Sequence, residues 1–332
     1  MSDIGHSGST IPLQFMLPST VSSQWKTAFE RMVTAVMGAG GIQPQPLTDD
    51  PAEWDAANVR SNKFAEALAA PVLTRLGTRT VELELGGVRV VEYVPRTQRH
   101  AGHRVIYTHG GGYTSGSATA NAVGPAVIAD LLEMSVLSID YTLAPRGRYD
   151  TVTDEVVAVF DALAAAGTPT ERTVLFGDSA GGGLAVASTL KLRDLNKPMP
   201  AALALWSPFV DLRCEGDTVR TLRDTDFLDS TRLAYNMNMY AGPDDLLHPY
   251  ASPLYGDFSK GFPPTLIQAG TREILLSDSV RLYRALDLAD CTVTLDLYEG
   301  MPHVHQSLPT ATETPEAVIA CRKTAMFLQR WL

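Results

Sequence analysis

One serine of the chain stands where a buried strand is predicted to meet a helix. Ser179 lies in Gly177-Asp178-Ser179-Ala180-Gly181-Gly182, directly after an apolar run at residues 173–176. Gly177 and Gly181 fit the pattern G-x-S-x-G, and their missing Cβ atoms leave room for the strained backbone of a sharp turn. The helix N-terminus that follows favours negative charge. The segment therefore predicts an exposed serine hydroxyl at the apex of a strand–turn–helix connection, rather than a flexible loop.

A second glycine-rich string, His109-Gly110-Gly111-Gly112-Tyr113, continues from the end of an earlier strand-like run. A serine that attacks a carbonyl group needs N–H donors for the oxyanion that forms. Consecutive glycines let the backbone approach a substrate closely and point N–H groups at it. We predict that the N–H groups of Gly111, Gly112 and Ala180 form an oxyanion hole. On this interpretation, His109 anchors the loop through a structural hydrogen bond and is not a base.

A serine nucleophile also needs a base to accept its proton. Of the 7 histidines, His303 and His305 lie in the loop at residues 299–305, between the last strand-like run and the last helix-compatible run. This position brings the loop back towards Ser179, whereas His6 and His100 lie in polar stretches. We favour His303 over His305 as the base.

A carboxylate must hold such a base in the correct tautomer. In the expected chain order, this carboxylate lies between the serine and the histidine. The loop that follows residues 265–269 offers Glu273 and Asp278. Asp278 begins an apparent helix, where carboxylates are common as caps and dipole partners, whereas Glu273 lies nearer the strand end. We therefore predict Glu273 as the acid, with Asp278 as the alternative.

The elements that must position these residues alternate along the chain. The strand-like runs are residues 81–85, 88–93, 104–108, 136–140, 173–176, 201–206, 265–269 and 293–298. The helix-compatible runs between and after them are residues 118–133, 152–165, 180–193, 277–288 and 316–331. This alternation predicts an α/β fold with a central, mostly parallel eight-stranded sheet flanked by helices. Because Gly86-Gly87 separates the first two runs as a tight turn would, the sheet is expected to begin antiparallel.

Two regions fall outside this alternation. Residues 1–75 hold two helix-like stretches, at 21–37 and 51–69, and residues 207–264 form a connection far longer than the usual ~2–6 residues. We predict that residues 1–75 are an N-terminal helical cap segment. Residues 76–332 are then the catalytic domain, with 207–264 inserted as a second cap segment.

The predicted pocket lies between this cap and the body of the fold. We expect Tyr113, Phe209 and Met237 to bind substrate, because apolar side chains and flexible methionines suit an adaptable pocket. Packing of the cap onto the body would use the same residues equally well.

Composition narrows the class of partner and the compartment. The chain has 332 residues and a net charge of −10, which argues against binding to nucleic acid or to anionic membrane surfaces. It has no apolar run long enough to span a membrane, and its first residues do not resemble a signal peptide. The 3 cysteines are spaced for neither a disulfide framework nor a metal site. These features predict a cytoplasmic protein with free thiols and no metal.

Together, the motifs resemble those of the hormone-sensitive-lipase-like branch of the α/β-hydrolase family. His109-Gly110-Gly111-Gly112 and Gly177-Asp178-Ser179-Ala180-Gly181-Gly182 resemble its two signature motifs, and Tyr141-Thr142-Leu143-Ala144-Pro145 resembles a further recurring stretch. The resemblance covers roughly residues 80–332, with the N-terminal part as a cap. It implies a helical cap on an α/β-hydrolase fold and a serine carboxylesterase, lipase or lactone hydrolase that needs no cofactor.

Carried over residue by residue, the resemblance implies Ser179 as nucleophile and His303 as base. Gly111, Gly112 and Ala180 would then supply the oxyanion N–H groups. The chain departs from the family pattern at two positions. The acid is usually Asp, but the matching residue is Glu273, and the residue two after the base is usually aromatic, but here it is His305.

The predicted reaction is hydrolysis of short-to-medium acyl esters through an acyl-enzyme intermediate. Hydrolysis of lactones or amides could use the same triad. A non-catalytic relative that binds a small molecule is less favoured, because serine, carboxylate and histidine are all present in order. Haloalkane or epoxide chemistry would need Asp at position 179. The last strand-like run, Val293–Tyr298, is expected at a sheet edge, where two copies could pair into a homodimer.

Overall fold

A single sheet organises the part of the chain that the structure describes. The computed structural model describes residues 17–38, 46–48, 50–99 and 102–332, so His6 and His100 lie outside the described residues. The 8 strands occur in the order β1-β2-β4-β3-β5-β6-β7-β8 across the sheet. They are β1 (Arg79–Leu85), β2 (Val88–Val94), β3 (Arg104–Thr108), β4 (Val136–Ile139), β5 (Thr173–Asp178), β6 (Ala202–Trp206), β7 (Thr265–Gly270) and β8 (Val293–Tyr298).

The sheet begins antiparallel and continues parallel, which confirms the sequence prediction. The hairpin between β1 and β2 turns at Gly86 and Gly87, whose φ angles of 60° and 80° lie in the left-handed region. β2 also pairs antiparallel with β4. From β4 onwards all neighbours are parallel. The carboxyl ends of these parallel strands therefore meet at one edge of the sheet, where ligands usually bind in such folds.

Helices cover both faces of the sheet. They are α1 (Ser23–Gly38), α2 (Pro51–Leu76), α3 (Val123–Leu132), α4 (Tyr149–Ala165), α5 (Ala180–Asp194), α6 (Asp217–Thr221), α7 (Ser230–Tyr240), α8 (Leu276–Leu288) and α9 (Pro315–Leu328). One apolar core joins α4, α5 and α8 to the sheet, and a second joins α3, α9 and the end of α2 to the other face. Burial on two faces explains why the central strands are apolar throughout.

Two helix boundaries differ from the sequence prediction by five residues or more. α3 begins at Val123 rather than at residue 118, because the Asp140 carboxylate accepts the backbone N–H of Ala118 at 2.7 Å and the preceding residues form turns. α2 continues to Leu76 rather than ending at residue 69, through Pro71. Its last turns bury Ala69 and Val72 against α3, and this packing outweighs the local cost of the proline.

The two predicted cap segments contact each other. α1 and α2 precede the sheet, and α6 and α7 lie within residues 207–264, between β6 and β7. The rings of Trp54 on α2 and Tyr235 on α7 stack with centroids 6.5 Å apart. The division into cap and catalytic domain stays a prediction, and part of residues 1–75 lies outside the described residues. Within the described ranges, no helix combines the length and the apolar character needed to cross a membrane.

Candidate active site

Ser179 lies at the turn between β5 and α5, in a backbone conformation that few residues adopt. Its φ and ψ angles are 53° and −123°. The N–H of Ser179 donates to the carbonyl of Trp206 at 2.8 Å, and its carbonyl accepts the N–H of Phe209 at 2.9 Å. These bonds tie the turn to the segment that follows β6. Surrounding contacts of this kind are what allow a strained conformation to persist at a functional site.

The turn brings the start of α5 close to the end of β3. A Cβ atom on Gly181 would lie 2.0 Å from the carbonyl oxygen of Thr108, which no side chain could accommodate. The G-x-S-x-G pattern is therefore required by close packing as well as by the turn itself.

His303 and Glu273 form a continuous hydrogen-bonded chain with Ser179. Nε2 of His303 lies 2.9 Å from Oγ of Ser179, and Nδ1 lies 2.7 Å from Oε2 of Glu273. The three residues follow β5, β7 and β8, so the parallel sheet brings their loops to one edge. Their side chains are buried, with exposed fractions of 9% for Ser179, 4% for His303 and 0% for Glu273. This burial shields the contact between Ser179 and His303 from bulk water.

The second oxygen of Glu273 is also fixed. Oε1 accepts the hydroxyl of Ser207 at 3.0 Å and the backbone N–H of Gly270 at 2.8 Å. Oγ of Ser207 in turn accepts the N–H of Val304 at 3.1 Å. The carboxylate is thereby oriented towards His303, and Ser207 links it to the loop that carries the histidine.

Charges around His303 favour its protonated form. Burial lowers the pKa of His303, but the hydrogen bond to Glu273 and the negative charges of Glu273, Asp226 and Asp178 raise it. The net result is a pKa above the ordinary value. An imidazole in this setting can accept the hydroxyl proton of Ser179 and then be stabilised as imidazolium.

The structure places the two alternative residues elsewhere. Oδ2 of Asp278 accepts the N–H groups of Val210 and Asp211 at 2.9 and 3.0 Å, and burial raises the pKa of Asp278 to about 7. The buried ring of His305 contacts the rings of Trp25 and Tyr298, with centroids 6.0 and 4.8 Å away. Burial lowers the pKa of His305 to about 3. Asp278 therefore anchors the segment after β6, and His305 takes the packing position of an aromatic residue.

The glycine loop after β3 presents its backbone next to Ser179. Gly111 has a φ angle of 125°, and a Cβ atom there would lie 2.0 Å from the carbonyl oxygen of Ser115. In the described part of the chain, no hydrogen bond uses the N–H of Gly111, Gly112 or Ala180 as its donor. These are the three N–H groups that the sequence assigned to an oxyanion hole, a role that stays a prediction.

His109 anchors the glycine loop, as expected. Its Nδ1 lies 2.8 Å from the carbonyl oxygen of Gly110. The ring stacks on Tyr141 with centroids 4.2 Å apart, and the Tyr141 hydroxyl donates to the His109 carbonyl at 2.8 Å. Burial lowers the pKa of His109. The neutral ring packs in the body of the fold and has no contact with Ser179.

Sequence reasoning missed Asp178, which joins the serine turn to the glycine loop. Its Oδ1 accepts the hydroxyl of Tyr107 and the N–H of Gly110, the latter at 3.1 Å. Burial raises the pKa of Asp178, and the hydrogen bond from Tyr107 opposes that rise. The available signal was a carboxylate at the end of a strand predicted to be buried, where only a partnered charge is tolerated.

The three residues predicted to bind substrate are all buried in one apolar core. Tyr113 stacks on Tyr240 of α7 with centroids 3.8 Å apart, and its hydroxyl donates to the carbonyl of Phe209 at 3.4 Å. Met237 lies on the same helix as Tyr240 and belongs to the same core. These contacts pack α7 onto the body, which was the alternative interpretation. A role in substrate binding stays a prediction.

Among the residues that the structure describes, no group of three or more His, Cys, Asp or Glu could hold a metal ion. The arrangement of a hydroxyl, an imidazole, a carboxylate and a row of N–H donors suits attack on a carbonyl carbon.

Comparison with known proteins agrees with this geometry. The sequence profile of a family with the α/β-hydrolase fold matches residues 105–307. An acetyl-hydrolase of Streptomyces hygroscopicus is 34% identical over 280 residues, which are 82% of this chain and 93% of that protein. The crystal structure of an esterase from the bacterial hormone-sensitive lipase family superposes with a TM-score of 0.78 at 30% identity, over 92% of this chain and 98% of that one. The crystal structure of esterase E25 superposes with a TM-score of 0.84 at 27% identity, over 98% and 99% of the two chains.

The eight-stranded sheet, the serine turn at the end of β5 and these similarities define the class of protein. The chain belongs to the α/β-hydrolase family, in the branch of the bacterial hormone-sensitive-lipase-like esterases. It is a carboxylesterase.

Proposed function

We propose that the chain hydrolyses short-chain carboxylic esters, acetyl esters foremost, with Ser179 as nucleophile, His303 as general base and Glu273 as the acid that orients it. The observation that carries this proposal is the unbroken hydrogen-bonded chain from Oγ of Ser179 through both nitrogens of His303 to Oε2 of Glu273. A serine hydroxyl is a weak nucleophile unless an adjacent base removes its proton, and this contact supplies the base.

In the first half of the reaction, Nε2 of His303 takes the hydroxyl proton as Oγ of Ser179 attacks the ester carbonyl carbon. The carbonyl oxygen becomes an oxyanion, which the N–H groups of Gly111, Gly112 and Ala180 stabilise. The tetrahedral intermediate collapses when the C–O bond to the alcohol breaks and His303 donates its proton to the departing alcohol oxygen. The acyl group is then bonded to Ser179.

In the second half, His303 takes a proton from a water molecule as the water oxygen attacks the acyl carbon. The bond from Oγ of Ser179 to that carbon breaks, the proton returns to Oγ, and the carboxylic acid leaves. Glu273 remains ionised throughout and stabilises the imidazolium that forms in each half.

The preference for small acyl groups rests on the packing of α7 over the glycine loop. A Cβ atom on Gly112 would lie 3.3 Å from Nδ2 of Asn236 and 3.9 Å from Cδ2 of Leu233. Asn236 and Leu233 therefore lie against the glycine loop, and we infer that this packing favours acetyl over long acyl chains. The acetyl-hydrolase of Streptomyces hygroscopicus bears a name that agrees with this preference. A lactone or an amide could use the same three side chains, and substrate comparison separates these reactions.

The test compares p-nitrophenyl acetate, butyrate and decanoate, a γ-lactone and acetanilide as substrates for the purified chain and for Ser179→Ala. We expect turnover to be highest with acetate and to vanish in the variant. Ser188→Ala, which removes a buried hydroxyl from the same helix, serves as the matched control and should keep activity. Retained turnover in Ser179→Ala would contradict the assigned nucleophile, and a preference for decanoate would contradict the assigned acyl size.

A cytoplasmic location forms part of the proposal. Cys214, Cys291 and Cys321 are all free thiols, and free cysteines are typical of a reducing compartment. Burial raises the pKa of Cys214 and of Cys321 to about 12, so both thiols are unreactive.

A further inference from the structure

A second buried carboxylate reaches the site from the segment between α6 and α7. Asp226 is 5% exposed. Its Oδ2 accepts the backbone N–H of Ile274 at 2.6 Å, and its Oδ1 accepts the N–H of Leu228 at 3.1 Å. Ile274 directly follows Glu273, so Asp226 ties residues 207–264 to the loop that carries the predicted acid. Burying a carboxylate costs free energy unless it is hydrogen-bonded or paired with a positive charge.

The next residue of the same segment contacts the histidine. The ring of Phe227 lies against His303 with centroids 6.1 Å apart and an interplanar angle of 63°. Of these two consecutive residues, Asp226 therefore contacts the loop that carries Glu273, and Phe227 contacts His303. This turn is the point at which the inserted segment meets the hydrogen-bonded chain of the site.

We propose that Asp226 is a positioning residue for the hydrolytic reaction: it holds the Glu273 loop through Ile274 and places a further negative charge beside the imidazolium formed on His303. This inference rests on the proposed function of Ser179, His303 and Glu273. Asp226 touches neither the substrate nor the serine, and it acts through its neighbours. The inserted segment then helps to complete the active site as well as to cover it.

The charges around His303 are consistent with this role. The negative charges of three carboxylates act on the ring: Glu273 in the loop after β7, Asp178 at the end of β5, and Asp226 in the inserted segment. The negative charge of Asp226 contributes to the raised pKa of His303. Burial raises the pKa of Asp226 above its ordinary value, although the charge of His303 and the two backbone N–H groups oppose that rise. Because both oxygens of Asp226 accept N–H donors, the contacts suit the ionised carboxylate.

The role has a consequence for the pH dependence of the reaction. The acid limb of kcat/KM reports the pKa of the base in the free enzyme. Removing the Asp226 charge should therefore move that limb to lower pH, because the imidazolium loses one stabilising charge while Glu273 and Asp178 remain. A side chain that only supported packing would lower kcat at every pH without moving the limb.

The experiment measures the pH profile of kcat/KM and kcat with p-nitrophenyl acetate for the wild type, Asp226→Asn and Asp224→Asn. Asp224 is the matched control, since it lies two residues earlier, its side chain is 85% exposed, and it pairs with Arg223 at 3.6 Å. We expect Asp226→Asn to lower the acid-limb pKa by about half a unit or more. We also expect it to lower kcat by about tenfold, because the amide can accept only one of the two N–H groups and the Glu273 loop shifts. Asp224→Asn should change neither quantity.

An acid limb in Asp226→Asn that coincides with those of the wild type and of Asp224→Asn overturns the inference. If Asp226→Asn does not give a thermal unfolding transition, the pair Asp226→Glu and Asp226→Gln decides the question, because the two side chains are alike in size and only the first keeps the charge. The acid limb of Asp226→Gln should lie at lower pH than that of Asp226→Glu, and coinciding limbs would refute the role. Ser179→Ala distinguishes an error in the role of Asp226 from an error in the proposed function. Turnover that persists in Ser179→Ala would contradict the proposed function, whereas an unmoved acid limb in Asp226→Asn would contradict only the role of Asp226.

Discussion

Glu273→Gln tests the most specific feature of the proposed site, the orientation of His303 by a carboxylate. Oε1 of Glu273 accepts two donors, and one of them, the backbone N–H of Gly270, cannot become an acceptor. In the variant, the amide oxygen must therefore take the Oε1 position, and the amide NH₂ group must face Nδ1 of His303. Nδ1 then has to act as an acceptor, so the ring hydrogen moves to Nε2.

A ring in that tautomer donates to Oγ of Ser179 instead of accepting its proton. The general-base step is lost, although the oxyanion donors and the nucleophile remain. Loss of the correct tautomer in a serine triad costs about 10⁴-fold in kcat, which corresponds to about 5 kcal/mol of activation free energy. We expect that loss in kcat for p-nitrophenyl acetate at pH 8, with little change in KM, because Glu273 does not touch the substrate.

Asp278→Asn is the matched control for this experiment. One oxygen of Asp278 accepts both the Val210 and Asp211 N–H groups, so the amide oxygen of the variant can keep both bonds. The substitution removes a buried carboxylate charge without touching His303, and we expect kcat within about threefold of the wild type on that ground. Thermal unfolding checks that both variants fold. A larger loss in Asp278→Asn than in Glu273→Gln, or a loss below tenfold in Glu273→Gln, would refute the assignment of the acid.

Three further predictions follow from individual contacts. Gly111→Ala places a Cβ atom against Ser115 and should lower kcat by about 10²–10³-fold, because the predicted oxyanion hole is distorted. Gly261→Ala, also at positive φ but in open space, should keep normal kcat. Equal losses in the two variants would contradict the role of the glycine loop. The pKa of Asp278 is raised to about 7 from its ordinary value of 3.8, so its contribution to stability is complete below pH 4 and is lost as the pH rises towards 7. Urea unfolding should therefore show Asp278→Asn gaining about 2–3 kcal/mol relative to wild type between pH 5 and pH 8, and parallel pH curves would show that the pKa is not raised. We also propose that two copies pair along β8. Within the described residues, this strand has a neighbour in the sheet on one side alone, and 44% of Leu297 is exposed. A monomer mass in light scattering at micromolar concentration would refute this pairing.

Much of the fold was predictable because its signals are local. Apolar runs of strand length separated by helix-compatible runs require a layered α/β arrangement, and Gly86-Gly87 specifies a turn by backbone chemistry alone. Helix ends were less predictable. The start of α3 depends on Asp140, which is 22 residues from Ala118 in sequence, and the extent of α2 depends on burial against another helix.

The residues of the site were predictable for a different reason. Ser179 and the glycines around it carry their own backbone requirement, and the expected chain order of serine, carboxylate and histidine directs attention to the loops after β7 and β8, each of which offers two candidates. Asp226 could not be located in this way. It lies in a polar stretch with neighbouring carboxylates at Asp224 and Asp229, and nothing in its local sequence separates it from them. Its burial follows from how residues 207–264 fold back onto the loop after β7.

The sequence by itself determined the class of fold, the nucleophilic turn and the types of side chain available for the reaction. These properties depend on backbone sterics and on the periodicity of apolar residues, which act over a few positions. Tertiary structure alone decided between Glu273 and Asp278 and between His303 and His305 as contact partners. Each pair lies within five residues along the chain, so the same local sequence carries both members. Only packing across β7, β8 and the segment after β6 determines which histidine contacts Ser179 and which carboxylate contacts that histidine. The same packing brought Asp226 beside them.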